Sequence, residues 1–129
     1  MSAQGKTILV VEDDPDLGKL MKRLLESRGY RALLAIDGPA GIAAAMAERP
    51  QLILMDVKLP KLDGELAVVQ LRGRAETAHI PVIMVTAMTG MNDKHLAAQL
   101  GVVDYVEKPF EPDQLLQKIR TILGDTPSA

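Results

Sequence analysis

Short apolar runs alternate along this chain with longer stretches whose apolar residues recur every three to four positions. Thr7-Ile8-Leu9-Val10-Val11 is an unbroken, mostly β-branched run, the pattern of a strand covered on both faces. Asp14-Pro15 then reads as a helix N-cap and first helical residue. Leu17, Leu20, Met21, Leu24 and Leu25 follow on one helical face, and Gly29 ends it. Arg31 to Ala35 is a weaker second strand. Asp37-Gly38-Pro39 opens an Ala-rich helix that closes near Pro50. Gln51 to Asp56 is a third strand, followed by a loop to Gly64 and a helix from about Glu65 to Arg74. Pro81 to Thr86 is the fourth strand, Met91 to Leu100 a helix ended by Gly101, and Val102 to Val106 the fifth strand. Pro112 opens the last helix, with Leu115, Leu116, Ile119, Ile122 and Leu123 on its apolar face. This order predicts an α/β protein, a (βα)₅ doubly wound parallel sheet with helices on both faces.

In an open parallel sheet, ligands bind beyond the carboxyl ends of the strands. Glu12-Asp13-Asp14 end the first strand, Asp56 the third and Thr86-Ala87 the fourth, and the fifth leads into Glu107-Lys108-Pro109-Phe110. Each group alone has an ordinary role: a turn aspartate, a cap at Asp14, a solvated lysine, a β-branched strand residue. Their arrival from different strands at one edge is what points to a site. Neighbouring strands lie about 4.8 Å apart, so these end residues can meet. Crowded carboxylates repel unless protonated or neutralised by a cation. An all-oxygen set without His or Cys suits Mg²⁺. A metal beside a free carboxylate, a hydroxyl and an ammonium makes a place for a phosphoryl group, with Asp56 as candidate nucleophile.

Composition narrows the field. With 129 residues the chain suits one domain: residues 1–5 are read as a flexible start, 6–123 as the domain, 124–129 as a tail or the beginning of a linker. The absence of cysteine excludes thiolate metal sites, disulfides and a cysteine nucleophile, and fits the cytoplasm. A formal charge of −2 and only three aromatic residues argue against direct nucleic-acid binding. No apolar run reaches the roughly eighteen residues of a membrane span, and the start lacks a secretory pattern.

Five segments in order resemble the bacterial two-component response-regulator receiver domain, over roughly Lys6 to Leu123: Ile8 to Pro15, Leu52 to Pro60, Asp63-Gly64, Pro81 to Ala87 and Asp104 to Phe110. The resemblance implies a strand order of 2-1-3-4-5 and Asp56 as phosphoacceptor. It makes Glu12 and Asp13 the acidic pair serving Mg²⁺, with Asp13 favoured as direct ligand and Glu12 acting through water. The backbone carbonyl of Lys58 completes that set. It assigns Thr86 and Lys108 to the phosphoryl oxygens and makes Tyr105, with Thr86, the switch. Phosphoryl would come from a histidine kinase or histidine phosphotransfer protein. The face of the fourth helix, fifth strand and last helix would signal to a downstream protein or detached output domain. Such a module is a signalling phosphoacceptor that assists its own phosphorylation and dephosphorylation, not an enzyme. The family also suggests a cis Lys108-Pro109 bond, which the sequence itself does not decide. Val102-Val103 and Met88 are less typical of the family. Three alternatives stay open: a phosphorylation-independent interaction module, a small Mg²⁺-dependent aspartyl-phosphate hydrolase, and a nucleotide- or flavin-binding fold. Lys58 stands where the hydrolase would need a second acid, and neither phosphate-binding glycine motif of the third class occurs.

Overall fold

Thr7–Val11 (β1) is buried along its whole length, as its unbroken apolar run requires. Leu52–Asp56 (β3) pairs with it on one side and Arg31–Ala35 (β2) on the other. Val82–Ala87 (β4) pairs with β3, and Val102–Lys108 (β5) with β4. All pairings are parallel, in the order β2-β1-β3-β4-β5. The structure, a computed structural model, describes residues 5–59, 61–87 and 101–125, leaving the side chains of Thr86 and Ala87 aside. The expected helix over Met91–Leu100, Pro60 and Met88 lie outside the described residues.

Alternate strand residues point to opposite faces and divide the core in two. Leu9, Val11, Ile53, Met55, Val82 and Met84 pack on one side with Ile42 and Ala45 of Gly38–Glu48 (α2) and with Ala67, Val68 and Leu71 of Gly64–Arg72 (α3). Ile8, Val10, Leu52, Leu54, Ile83 and Val85 pack on the other. Their partners are Met21 and Leu25 of Pro15–Glu26 (α1) and Leu115, Leu116 and Ile119 of Pro112–Leu123 (α4). The unbroken apolar runs are thus two interleaved period-2 patterns, one for each helical layer.

The helix starts follow the sequence signals. The Asp14 side chain accepts from the Asp16 and Leu17 N–H groups, with Pro15 following it. Asp37 caps α2 by accepting from the Ala40 N–H at 2.8 Å. Among the differences at element boundaries, three matter here. α3 begins at Gly64 and ends at Arg72, where Gly73 caps it. β5 runs two residues beyond Val106, because its ladder with β4 continues through Thr86↔Glu107 and Ala87↔Lys108. The third concerns Asp125, which the sequence reading puts in the tail. It is buried, its carboxylate held by the Lys6 ammonium and by the Tyr30 hydroxyl at 2.8 Å. Lys6 also donates to the Leu123 carbonyl at 2.8 Å, so the end of α4 is fastened to the beginning of β1.

Candidate functional site

The register of the sheet assembles the site. Val11 pairs with Met55 across β1 and β3, so the next residues, Glu12 and Asp56, emerge side by side. Both are buried, at 4% and 7% exposure, while Asp13 faces solvent. Ligand oxygens from Glu12, Asp13 and Asp56 all lie within 4.8 Å of one another. Lys108 ends β5, two strands from Asp56 and so about 10 Å across the sheet. Its long stem covers that gap. The ammonium donates to Glu12 Oε1 at 2.7 Å and to Asp56 Oδ2 at 3.0 Å. The peptide bond that follows, Lys108-Pro109, is cis.

The remaining oxygens of the pair are also engaged. Glu12 Oε2 accepts the Asp14 N–H at 3.1 Å, and Asp56 Oδ1 accepts the Lys58 N–H at 3.2 Å. Burial pushes the Glu12 carboxyl up; the Lys108 ammonium and the Asp14 N–H oppose it, the Asp56 charge adds to it, and the net shift is upward. Burial works against the Lys108 ammonium. Its hydrogen bonds to Glu12 and Asp56, with their negative charges, together outweigh burial and hold its pKa above the ordinary lysine range.

The loop after Asp56 is closed tightly. Gly64 donates its N–H to the Val57 carbonyl at 2.8 Å. A Cβ at Gly64 would stand 2.1 Å from the Asp56 carbonyl oxygen, so the start of α3 sits directly on the backbone of Asp56. The Asp63-Gly64 pair is visible in the sequence, but this close approach is not, because it depends on where the loop returns.

The sequence-predicted site residues can now be placed, apart from the Thr86 side chain. Glu12, Asp13, Asp56 and Lys108 converge. Lys58 is tied to Asp56 through its N–H, with its side chain exposed. Thr86 is paired with Glu107 in the β4–β5 ladder, and its side chain lies outside what the structure describes. Tyr105, half-buried, packs against the core layer beneath α2 and α3 and pairs with Met84. The sequence reading assigns Lys108 to phosphoryl oxygens; in the structure it directly bridges Glu12 and Asp56, a contact with no local sequence signal.

The acidic cluster passes a test of fit for a hard divalent cation. Its donors are all oxygens and converge from two strand ends, and its three carboxylates face a single ammonium. Among the described residues no helix is long and apolar enough to cross a membrane.

Comparison with known proteins agrees with this geometry. Residues 8–120 match the model of the response regulator receiver domain. The chain is 40% identical over 119 residues to the DNA-binding dual master transcriptional regulator RpaA of Synechocystis, covering 92% of this chain and 49% of that protein. It is 39% identical to protein PilH of Pseudomonas aeruginosa, covering 91% of this chain and 97% of PilH. This chain therefore spans about half the length of RpaA and nearly all of PilH. Among solved structures it resembles the receiver domain of the sensor histidine kinase PA1611 of Pseudomonas aeruginosa, which has a magnesium ion coordinated in its active-site cleft. That match has a TM-score of 0.84 and 35% identity, over 94% of this chain and 99% of the other. With the family model matched over nearly the whole sheet and the acidic edge assembled as described, this chain belongs to the response regulator receiver domain family.

Proposed function

We propose that this receiver domain is a phosphoacceptor in which Asp56 takes a phosphoryl group from a phosphohistidine. The donor would be a histidine kinase or a histidine phosphotransfer protein. One observation carries the reading: Asp56 is held at a buried edge between an ammonium and two further carboxylates. The Lys58 N–H and Lys108 fix both of its oxygens and so orient it. In the transfer, an Asp56 oxygen attacks phosphorus and a P–O bond forms. The P–N bond to the imidazole breaks, and its electron pair leaves with the nitrogen.

Glu12, Asp13, Asp56 and the Lys58 carbonyl would hold Mg²⁺, which when bound screens the charge of the transferred group. Lys108 exchanges a carboxylate oxygen for a phosphoryl oxygen, and the Thr86 hydroxyl donates to another. Tyr105 then repacks and remodels the face formed by β5 and α4, to which a downstream protein or output domain responds. The module is a signalling acceptor in the cytoplasm rather than an enzyme.

The test is to supply acetyl phosphate with Mg²⁺ and weigh the intact protein. Wild type should gain the mass of one phosphoryl group and Asp56→Asn none. No gain by wild type, or equal gain by both proteins, refutes the assignment.

A further inference from the structure

The loop from Val57 to Asp63 carries Lys58, whose carbonyl the functional reading places on Mg²⁺. Its two ends are tied to Asp56 and Val57 by the Lys58 and Gly64 N–H groups. Its later part is gripped by a different element, the beginning of α2. A Cβ at Gly38 would stand 2.6 Å from the Leu62 carbonyl oxygen and 2.7 Å from Leu62 Cβ, so helix and loop backbones touch there. One residue earlier, buried Asp37 uses Oδ1 to cap α2, while its Oδ2 pairs with the Lys61 ammonium at 3.4 Å. Lys61 itself has φ 69°, in the left-handed region that residues other than glycine adopt seldom. Such a conformation persists where the surroundings determine it. A backbone contact, an ion pair and a left-handed residue therefore fall on two consecutive loop residues opposite the cap and the first residue of α2.

We propose that Asp37, Gly38 and Lys61 are positioning residues for the metal site. The start of α2 sets the β3–α3 loop and thereby the place of the Lys58 carbonyl relative to Asp13 and Asp56. None of the three would touch the ion; they act through the loop. This inference rests on the reading of Lys58 as a ligand. Groups that orient metal ligands typically change metal affinity by 10–100-fold when altered.

The experiment is isothermal titration of Mg²⁺ alone into the full chain. Gly38→Ala should raise the Mg²⁺ Kd about tenfold, and Lys61→Met should raise it by less. Tyr30→Phe, at the opposite end of the sheet, lowers the melting temperature by another route and should leave the Kd unchanged. A Gly38→Ala Kd equal to wild type overturns the inference, as does an equal loss in Tyr30→Phe. Should Gly38→Ala not fold, Lys61→Met decides, since this residue is exposed; an unaltered Kd there overturns the inference. A wild type that binds Mg²⁺ beside unaltered variants defeats this inference alone. A wild type that takes no Mg²⁺ defeats the functional reading as well.

Discussion

Replacing Asp56 with Asn removes one negative charge from the acidic pocket and leaves one acceptor oxygen, which serves either the Lys58 N–H or the Lys108 ammonium but not both. The attraction lost, to the Lys108 ammonium 3.0 Å away, is about 5–6 kcal/mol at an effective dielectric constant of about 20. The repulsion relieved against Glu12, at a separation within 4.8 Å, is about 3.5 kcal/mol on the same scale. Asp13 adds roughly 2 kcal/mol once water screening is allowed for. These contributions nearly cancel. What remains is desolvation, since a buried carboxylate costs several kcal/mol and a hydrogen-bonded amide far less. Asp56→Asn should therefore stabilise the metal-free protein by about 1–2 kcal/mol. For 129 residues that is a rise in melting temperature of about 4–7 °C. Mg²⁺ at a hundred times its Kd should stabilise wild type by about 2.7 kcal/mol, or roughly 10 °C. The variant, with one of three carboxylates gone, should respond far less. The assay is a thermal melt of both proteins in chelator and in Mg²⁺ at matched ionic strength. A metal-free variant that melts below wild type, or equal Mg²⁺ responses, refutes the shared acidic pocket.

Two further outcomes follow from other contacts. Burial, with the Asp125 carboxylate beside it, holds the Tyr30 hydroxyl well above the ordinary tyrosine range. Its pKa is higher folded than unfolded, so its stabilisation is present below about pH 10 and is lost as pH rises from there toward the folded value. Tyr30→Phe should cost about 1–2 kcal/mol at pH 8, and denaturant melts should show that gap narrowing by pH 11; a constant gap defeats the assignment. Gly64→Ala would force a methyl to 2.1 Å from the Asp56 carbonyl. It should cost about 1–3 kcal/mol and slow phosphorylation by acetyl phosphate more than about tenfold. Phosphorylation at the wild-type rate would show that Asp56 does not depend on the seat of α3.

Much of this molecule is legible in its chain because the signals are local. Thr7–Val11 and Leu52–Asp56 read as fully covered strands, and each turns out to divide its residues between two core layers. Asp14-Pro15 and Asp37-Gly38 read as helix starts and are capped as expected. The convergence of Glu12, Asp13, Asp56 and Lys108 follows once the strands are parallel, since all four lie at carboxyl ends. The strand order is different: the alternating pattern is compatible with several orders, and 2-1-3-4-5 came only with the family resemblance. Asp125 was illegible for a physical reason. A small polar tail predicts exposure, and the partner that buries this carboxylate, Lys6, is 119 positions away. The grip of Gly38 on Leu62 was hidden likewise, since a glycine in a helix start has a sufficient local explanation.

The two ends of the sheet treat their charges in opposite ways. At the amino ends of the strands, one buried carboxylate, Asp125, is matched by one ammonium and a phenol, and it joins the end of α4 to β1 and β2. At the carboxyl ends, one ammonium serves two buried carboxylates while a third stands beside them in solvent. Hydrogen bonding does not distinguish the two places, because among the described residues no buried side-chain nitrogen or oxygen lacks a partner. The difference is one of charge: Asp125 faces one ammonium, whereas among the described residues three carboxylates beside one ammonium leave two negative charges over. Asp13 is solvated, but Glu12 and Asp56 leave one unbalanced charge buried beside Lys108, and a purely structural network has no reason to keep it, since such charge costs stability in a low-dielectric setting. Two surplus negative charges are what one divalent cation would neutralise, and in the proposed reading Lys108 would then turn to a new anion. The electrical incompleteness of the Glu12–Asp13–Asp56 edge is thus the feature that the phosphoacceptor reading explains and a merely stable fold does not.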